Sequence, residues 1–514
     1  MSKTKKSLLT RFLDMVEYVG NKLPDPVTLF FILIVIVLFG SWIATLLGLS
    51  AIHPGTKETI SAINLFSKEN VIRIFTQMPA TFTGFAPLGM VLVVMLGIGV
   101  ADKTGMISAA LKTFVLKVPR SLLTASLVFA GIMSSMAVDA GYVVLIPLGA
   151  VIFMSAGRHP LAGLAATFSG VSGGFSANLI ITSLDPLLAS FTEPAAQLLD
   201  QSYSVNAASN YYLMVLMVPL YTLVGWFATE KIVEPRLGAY TGDVVDDSIS
   251  RPIEAIERKG LRYAGLTKVV LAVLIALLVV PENGILRDAN ASLSIAPFLS
   301  SIVALMMFLF LIPGIVYGVT VGKIKNDKQV AEMMADSMSS LGSYIVLAFT
   351  AAHFVAFFNW SNLGVITAIR GAEFLSTIGF TGIPLLIAFL VFTGFINLFI
   401  GSASAKWALM APIFVPMLML MGLSPEVTQA TYRLGDSFTN IITPLMAYFP
   451  LVIIYAQKYQ KDLGIGTLIS IMLPYSLLFL LLSIVVLVIW ILTGIPVGPD
   501  SPLYYTVPST FGTP

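Results

Sequence analysis

The stretch YRLGDSFTNIITP (432–444) places an arginine, an aspartate and an asparagine within a long apolar region of the chain. Gly435 and Pro444 weaken a helix where these polar groups cluster. A charged side chain at the centre of a membrane span costs at least ~2.5 kcal/mol, so such residues are usually functional or paired. Because Arg433 and Asp436 are three residues apart, they would share a helix face, and an ion pair between them is the structural alternative to a polar cavity.

The composition indicates a membrane protein. The chain is 57% hydrophobic and 11% charged, with a mean hydropathy of +0.91, whereas soluble domains have about 25% charged residues. Residues 30–49 and 475–492 contain no charge and are long enough to cross a bilayer as helices. A net charge of +2 argues against a nucleic-acid partner. With no cysteine and three histidines, disulfides, thiolate metal sites and a zinc centre are not expected.

Basic residues orient the chain, because positive charge favours the cytoplasmic side in short loops. They predict a cytoplasmic N-terminus and an external C-terminus. The predicted crossings cover about 27–49, 83–101, 161–190, 207–230, 265–282, 297–320, 340–358, 427–455 and 466–493.

Two other apolar stretches, about 121–156 and about 381–421, can enter and leave the bilayer on the same side. The sequence therefore predicts an all-α polytopic membrane protein with about nine transmembrane helices and two re-entrant hairpins. A topology in which each hairpin makes two crossings fits the hydropathy equally well.

Residues 1–230 and residues 265–514, the two parts of the chain, share a sequence pattern. SSMAVDAGYVVLIP (134–147) and SASAKWALMAP (402–412) have matching spacings from a polar residue to an aromatic residue and a proline. SANLIIT (176–182) similarly echoes FTNIIT (438–443).

We expect an ancestral duplication of residues 1–230 and 265–514, joined by a cytoplasmic linker at 231–264. The charge pattern gives the copies opposite orientations. Inverted repeats with broken segments (here about 161–190 and about 427–455) are typical of secondary transporters, whose substrate site lies between the repeats.

Non-helical backbone within a membrane is tolerated only where surrounding protein or a water-filled cavity satisfies its polar groups. The segment FSGVSGGFSANLIITSLDP (168–186) contains Asp185, which we predict to serve a proton or substrate site; a structural partner or an interfacial position is the alternative. Its glycines could instead serve close helix packing. In the second broken segment, Arg433 suits a carboxylate substrate through two parallel hydrogen bonds. Asp436 suits a cation or a carried proton.

The second hairpin has a polar tip, GSASAKW (401–407). Ser404 is a candidate hydrogen-bonding group and Trp407 a stacking surface, with an interfacial turn as the alternative. Lys406 is expected to snorkel outward. Asn397, shortly before the tip, can supply an oxygen to an ion. The matched pair Asn178 and Asn440 completes the candidate site.

The sequence resembles the AbgT family of bacterial inner-membrane transporters over essentially its whole length. The resemblance is carried by LDMVEYVGNKLPDP (13–26), DAGYVVLIPLGA (139–150) and GSASAKWALMAPIFVPM (401–417) through YRLGDSFTNIITP. It implies a homodimer of nine-span protomers with two re-entrant hairpins. It also implies substrate-transport roles for Asp185, Ser404, Trp407, Pro425, Arg433 and Asp436. A bound sodium ion at Asn397 and Asp436 is the only cofactor it suggests.

We therefore predict a cation-coupled transporter, driven by protons or sodium, of p-aminobenzoyl-glutamate and related aryl-amine carboxylates. The main alternative is a proton-driven efflux pump for p-aminobenzoic acid and sulfonamide antimetabolites. An ion channel is the alternative from a different class, but inverted hairpins argue against it. An enzyme is not expected, since neither a Walker A sequence nor a Ser/His/Asp set is evident.

Overall fold

The computed structural model describes residues 24, 26–52, 58–116, 119–136, 141–242, 253–281, 283–287, 296–444, 446 and 448–506. This part of the chain is helical apart from loops and one small antiparallel pair of strands, β1 (Ser50–Ile52) and β2 (Thr59–Ser61), in which Ala51 lies opposite Ile60. Asp139, which the sequence places at the tip of the first hairpin, lies outside the described residues.

Most of the helices are apolar. Up to residue 242 they are α1 (Pro26–Leu46), α2 (Lys68–Thr83), α3 (Ala86–Lys103), α4 (Met106–Leu116), α5 (Leu123–Met133), α6 (Ile146–Ser155), α7 (Pro160–Phe168), α8 (Leu184–Ala196), α9 (Tyr211–Ala228) and α10 (Glu234–Leu237). From residue 253 onward they are α11 (Ala255–Val279), α12 (Ala296–Thr320), α13 (Asp327–Ser340), α14 (Gly342–Trp360), α15 (Leu363–Thr377), α16 (Gly382–Asn397), α17 (Ala403–Leu420), α18 (Pro425–Thr439), α19 (Phe449–Gln457) and α20 (Ile465–Thr493).

Eight helices in the described residues are long and apolar enough to cross a membrane. The prediction of an all-α polytopic protein is confirmed, but the count differs from nine for a specific reason. Seven of the predicted crossings correspond to such helices, and the eighth helix is α17, an arm of the second hairpin. The predicted crossings at 161–190 and 427–455 are each divided into shorter helices.

The division of the first of these segments follows from its small residues. Helix α7 continues into a π-helical turn (Ser169–Gly173), and the chain then runs without helix to the start of α8 at Leu184. A Cβ on Gly170 would lie 2.2 Å from the carbonyl oxygen of Val128 in α5. The glycines therefore serve close packing here as well as the interruption of the helix.

The second of these segments, 427–455, is interrupted after Thr439. Ser424 accepts a hydrogen bond from the Val427 amide (3.1 Å) and Pro425 occupies the first turn, so α18 has a well-defined start. All 15 residues of α18 are buried. Contrary to the expectation for Gly435, the helix continues through it and ends only at Thr439, with α19 beginning at Phe449.

Gly435 allows α16 and α18 to approach closely. A Cβ at this position would lie 2.4 Å from the carbonyl oxygen of Leu390 and 2.8 Å from Cβ of Thr393. Helix α17 packs on α18 and also on α8, so the second hairpin lies between the two divided segments. Helix α12 packs on both α3 and α11, and α3 also contacts α8. Helix α11 leaves much of its apolar surface exposed, as lipid-facing helices do.

We expect Gly435→Ala to destabilise the protein by ~1–3 kcal/mol, because the added methyl must push α16 away from α18. Thermal unfolding in detergent measures the effect. Gly466→Ala in α20 is the matched control, since a Cβ at this position meets no atom of the described residues within 4 Å apart from its chain neighbours and the backbone of its own helix. Equal melting temperatures for the two variants would contradict the packing assignment.

Candidate functional site

A cavity of about 340 Å³ lies where the two hairpins meet the two divided segments. Its walls come from both parts of the chain: Ser135, Tyr142, Phe175, Ser183, Leu184, Leu187, Gly401, Ser402, Ala403, Ser404, Asn440, Met446 and Tyr448. Of the predicted site residues, Ser404 and Asn440 line this cavity. The volume is in the range of small-molecule sites.

Two helix N-termini contribute to the cavity wall. Helix α8 begins at Leu184 and α17 at Ala403, and both residues line the cavity. The first N–H groups of a helix lack intrahelical partners and carry the positive end of the helix dipole. Ser402 satisfies one of them in α17 by accepting from the Ala405 amide at 3.3 Å. This arrangement favours an anionic group in the cavity.

Aromatic rings form another part of the wall. Tyr142 and Tyr448 stack with their centroids 4.3 Å apart and their planes inclined by 7°. The hydroxyl of Tyr142 donates to the sulfur of Met446 at 3.4 Å, which links the first hairpin to the second divided segment. Together with Phe175, these rings offer a flat apolar surface to an aromatic ligand.

Arg433 pairs with Asp185 across the two parts of the chain. Its Nη1 donates to Oδ1 of Asp185 at 2.6 Å, and its Nη2 donates to the carbonyl oxygen of Ser176 at 2.7 Å. The other carboxylate oxygen of Asp185 accepts from the amide and hydroxyl of Thr182, at 2.7 and 2.9 Å. The pair thus holds the start of α8 and the preceding non-helical chain against α18.

Asp436 pairs with Lys406, not with Arg433, so the structural alternative of an ion pair on one face of α18 is wrong. Lys406 Nζ lies 2.5 Å from Oδ1 of Asp436, and the two side chains are 0% and 1% exposed. The expectation that Lys406 snorkels outward is also wrong. Spacing along one helix decides only which residues share a face, whereas these partners come from different segments.

The amide groups of Asn397 and Asn440 complete this cluster. Lys406 Nζ donates to Oδ1 of Asn397 at 2.7 Å. Asn397 Nδ2 donates to Oδ1 of Asn440 at 2.7 Å, and Asn440 Nδ2 donates to Oδ2 of Asp436 at 3.1 Å. Asn397 and Asp436, both expected at a sodium site, therefore lie together.

The residues do not fit a sodium ion in this arrangement. The Oδ1 atoms of Asn397 and Asp436 converge on one point, as the ligands of a cation would, but the ammonium of Lys406 occupies that point. Oδ2 of Asp436 already accepts from Asn440. The cation at this site is the ammonium group of Lys406.

The remaining predicted residues lie behind or away from the cavity. Trp407 is 0% exposed, and its ring packs on Tyr432 with centroids 4.4 Å apart. Its Nε1 donates to the hydroxyl of Thr192 in α8 at 2.9 Å. Pro425 begins α18, about 16 Å along the helix from Asp436.

Asn178 binds the first hairpin by donating from Nδ2 to the hydroxyl of Ser135. Because Ser135 lines the cavity, Asn178 supports its wall, as Asn440 does from the second divided segment. Sequence reasoning missed Lys406 and the Tyr142–Tyr448 stack as site components. Two features of the sequence point to these components. Lys406 is a lysine within an apolar hairpin, and Tyr142 occupies the aromatic position of the repeat.

Comparisons with known proteins agree over nearly the full chain. Residues 11–505 match the AbgT putative transporter family. The p-aminobenzoyl-glutamate transport protein of Escherichia coli (strain K12) is 36% identical over 485 residues, which cover 94% of this chain and 95% of that protein.

Two solved structures share the fold. The YdaH transporter of Alcanivorax borkumensis, described as having an unusual topology, is 44% identical with a TM-score of 0.89, covering 93% of this chain and 100% of its own. MtrF of Neisseria gonorrhoeae, described among a class of antimetabolite efflux pumps, is 50% identical with a TM-score of 0.91, covering 96% of this chain and 100% of its own.

We expect Asp185→Asn to destabilise the protein by ~3–5 kcal/mol, because it leaves the guanidinium of Arg433 buried without a counter-charge. Adding Arg433→Met to this variant should recover part of the loss. Glu332→Gln is the control, since the side chains of the Lys328–Glu332 pair are 82% and 61% exposed; it should change stability by less than ~1 kcal/mol. Chemical or thermal unfolding in detergent compares them, and equal stability of Asp185→Asn and Glu332→Gln would refute the role of the pair.

Proposed function

The chain belongs to the AbgT putative transporter family, and on that premise we propose that it is a cation-coupled secondary transporter of p-aminobenzoyl-glutamate and related aryl-amine carboxylates. The observation that carries this proposal is the cavity between the hairpins and the divided segments, with two helix N-termini and stacked tyrosines in its wall. The substrate class also rests on the E. coli relative. The coupling ion is a proton or sodium.

The proposed binding mode matches each end of the substrate to one part of the wall. A carboxylate lies near the starts of α8 and α17, where Ser402 and Ser404 can donate hydrogen bonds and the helix dipoles favour negative charge. The aromatic ring lies against Tyr448, which stacks on Tyr142.

This mode revises the roles expected for the charged residues and for Trp407. Arg433 is engaged by Asp185, and Trp407 is enclosed between α8 and Tyr432. We therefore propose that Asp185, Trp407 and Arg433 support transport by holding the cavity wall. Asp436, together with Lys406, carries the coupling charge.

Alternating access follows from the proposed inverted repeats, 1–230 and 265–514, joined by the linker 231–264. In our proposal, the hairpins and divided segments move together in an elevator-like manner against helices such as α3, α11 and α12. We also propose a homodimer in a bacterial inner membrane, with the N-terminus cytoplasmic and the C-terminus periplasmic. The charge distribution and the bacterial relatives support this placement.

Efflux of sulfonamide antimetabolites is a second candidate. It is favoured by the 50% identity to MtrF, which is described among antimetabolite efflux pumps. Sulfonamides retain the aryl amine of p-aminobenzoic acid, so the same aromatic wall could receive them. The two candidates differ in the direction of transport and in the group at the carboxylate end.

Radiolabelled flux into and out of proteoliposomes tests both candidates. We expect saturable movement of p-aminobenzoyl-glutamate that requires an imposed proton or sodium gradient, and comparison with a labelled sulfonamide ranks the substrates. Flux that continues without any gradient at a non-saturating rate would favour a channel. Absence of gradient-dependent flux of either solute would overturn the proposal.

We expect Tyr448→Leu to raise KM for p-aminobenzoyl-glutamate about 3- to 10-fold, because it removes an aromatic stacking surface from the cavity. The maximal rate should change less than KM. Tyr212→Leu in α9 is the control, since Tyr212 is 44% exposed and outside the cavity wall. The same KM in both variants would contradict the binding mode.

A further inference from the structure

We propose that Lys406 is a built-in cation that takes the place of a sodium ion at Asn397 and Asp436. The ammonium then excludes sodium from these two residues. This inference rests on the proposed function and extends it, because it identifies the ammonium of Lys406 as the positive charge beside Asp436 in the coupling site.

The surroundings of the ammonium are those of a cation site. Lys406 Nζ has Oδ1 of Asp436 at 2.5 Å and Oδ1 of Asn397 at 2.7 Å, and it lies 5.1 Å from the ring centroid of Tyr432. An ammonium has three N–H donors, and an aromatic face attracts a cation. Two oxygens and one ring therefore satisfy the lysine without water.

The lysine also joins three segments. Asn397 is the last residue of α16, Lys406 lies in the first turns of α17, and Asp436 lies in α18. The ammonium thus ties both arms of the second hairpin to the second divided segment. This tie agrees with the proposed movement of the hairpins and divided segments as one unit.

Charge balance makes the lysine and sodium mutually exclusive. The two buried ion pairs, Arg433–Asp185 and Lys406–Asp436, are each neutral. A sodium ion added beside the ammonium would be a second positive charge against one carboxylate, at a point where both side chains are buried. Like charges this close oppose each other strongly where the dielectric constant is low.

Sodium binding by the purified protein in detergent tests the inference without a transport assay. Binding of radioactive sodium and melting temperature in sodium chloride against choline chloride are measured for the wild type and for Lys406→Gln. The glutamine variant leaves Asp436 without its ammonium. Lys268→Gln in α11 is the control for loss of a lysine from an apolar helix, because Lys268 instead lies 4.7 Å from the ring of Phe310.

We expect the wild type and Lys268→Gln to show no saturable sodium binding. Lys406→Gln should bind about one sodium ion per chain, with a rise in melting temperature of about 1–2 °C in sodium. Asp436→Asn added to Lys406→Gln should abolish the response.

Two results would overturn the inference. One is saturable sodium binding by the wild type that Asp436→Asn abolishes. The other is a folded Lys406→Gln variant with no response to sodium. If that variant does not fold, sodium binding by the wild type alone decides the matter. Loss of p-aminobenzoyl-glutamate flux with these binding results intact would instead count against the proposed function.

Discussion

The complete burial of α18 is the constraint on which the rest of the structure depends. This helix carries Arg433 and Asp436, yet all 15 of its residues are buried. A buried charge is tolerated only when a partner and hydrogen bonds compensate its lost hydration. Asp185 and Lys406 supply those partners, and each of them reaches α18 from a different segment. The charges of α18 therefore determine where α8 and α17 must lie.

These two pairings place the cavity. Arg433 holds the start of α8, and Asp436 holds the first turns of α17 through Lys406. Because the positive ends of both helices then meet at one space, that space suits an anionic ligand. The stacked tyrosines come from the first hairpin and the second divided segment, so the aromatic wall depends on the same assembly. The ion pairs thus shape the cavity although they lie behind its wall.

Small residues permit the close contacts on which this arrangement rests. Gly435 brings α16 against α18, and Gly170 brings the first divided segment against α5. Association of helices in a bilayer relies on packing and hydrogen bonds, since apolar side chains gain little by leaving lipid. A glycine in an apolar segment can therefore mean close packing or a helix break. The sequence motif is the same for both, and only the neighbouring helix distinguishes them.

The sequence by itself determined the all-α polytopic class. A long uncharged apolar segment can cross a bilayer as a helix, in which the backbone polar groups are hydrogen-bonded within the segment. It also located the polar residues that gather near the cavity, since charged and amide groups are rare at membrane depth. Only the tertiary structure decided the partners: Arg433 with Asp185, and Asp436 with Lys406. Periodicity reports which residues share a helix face, but contacts between distant segments depend on how the helices pack. For the same reason, the predicted surroundings of two side chains differ from those observed. The sequence predicts that Trp407 faces a ligand and that Lys406 faces solvent, but both are enclosed in the protein.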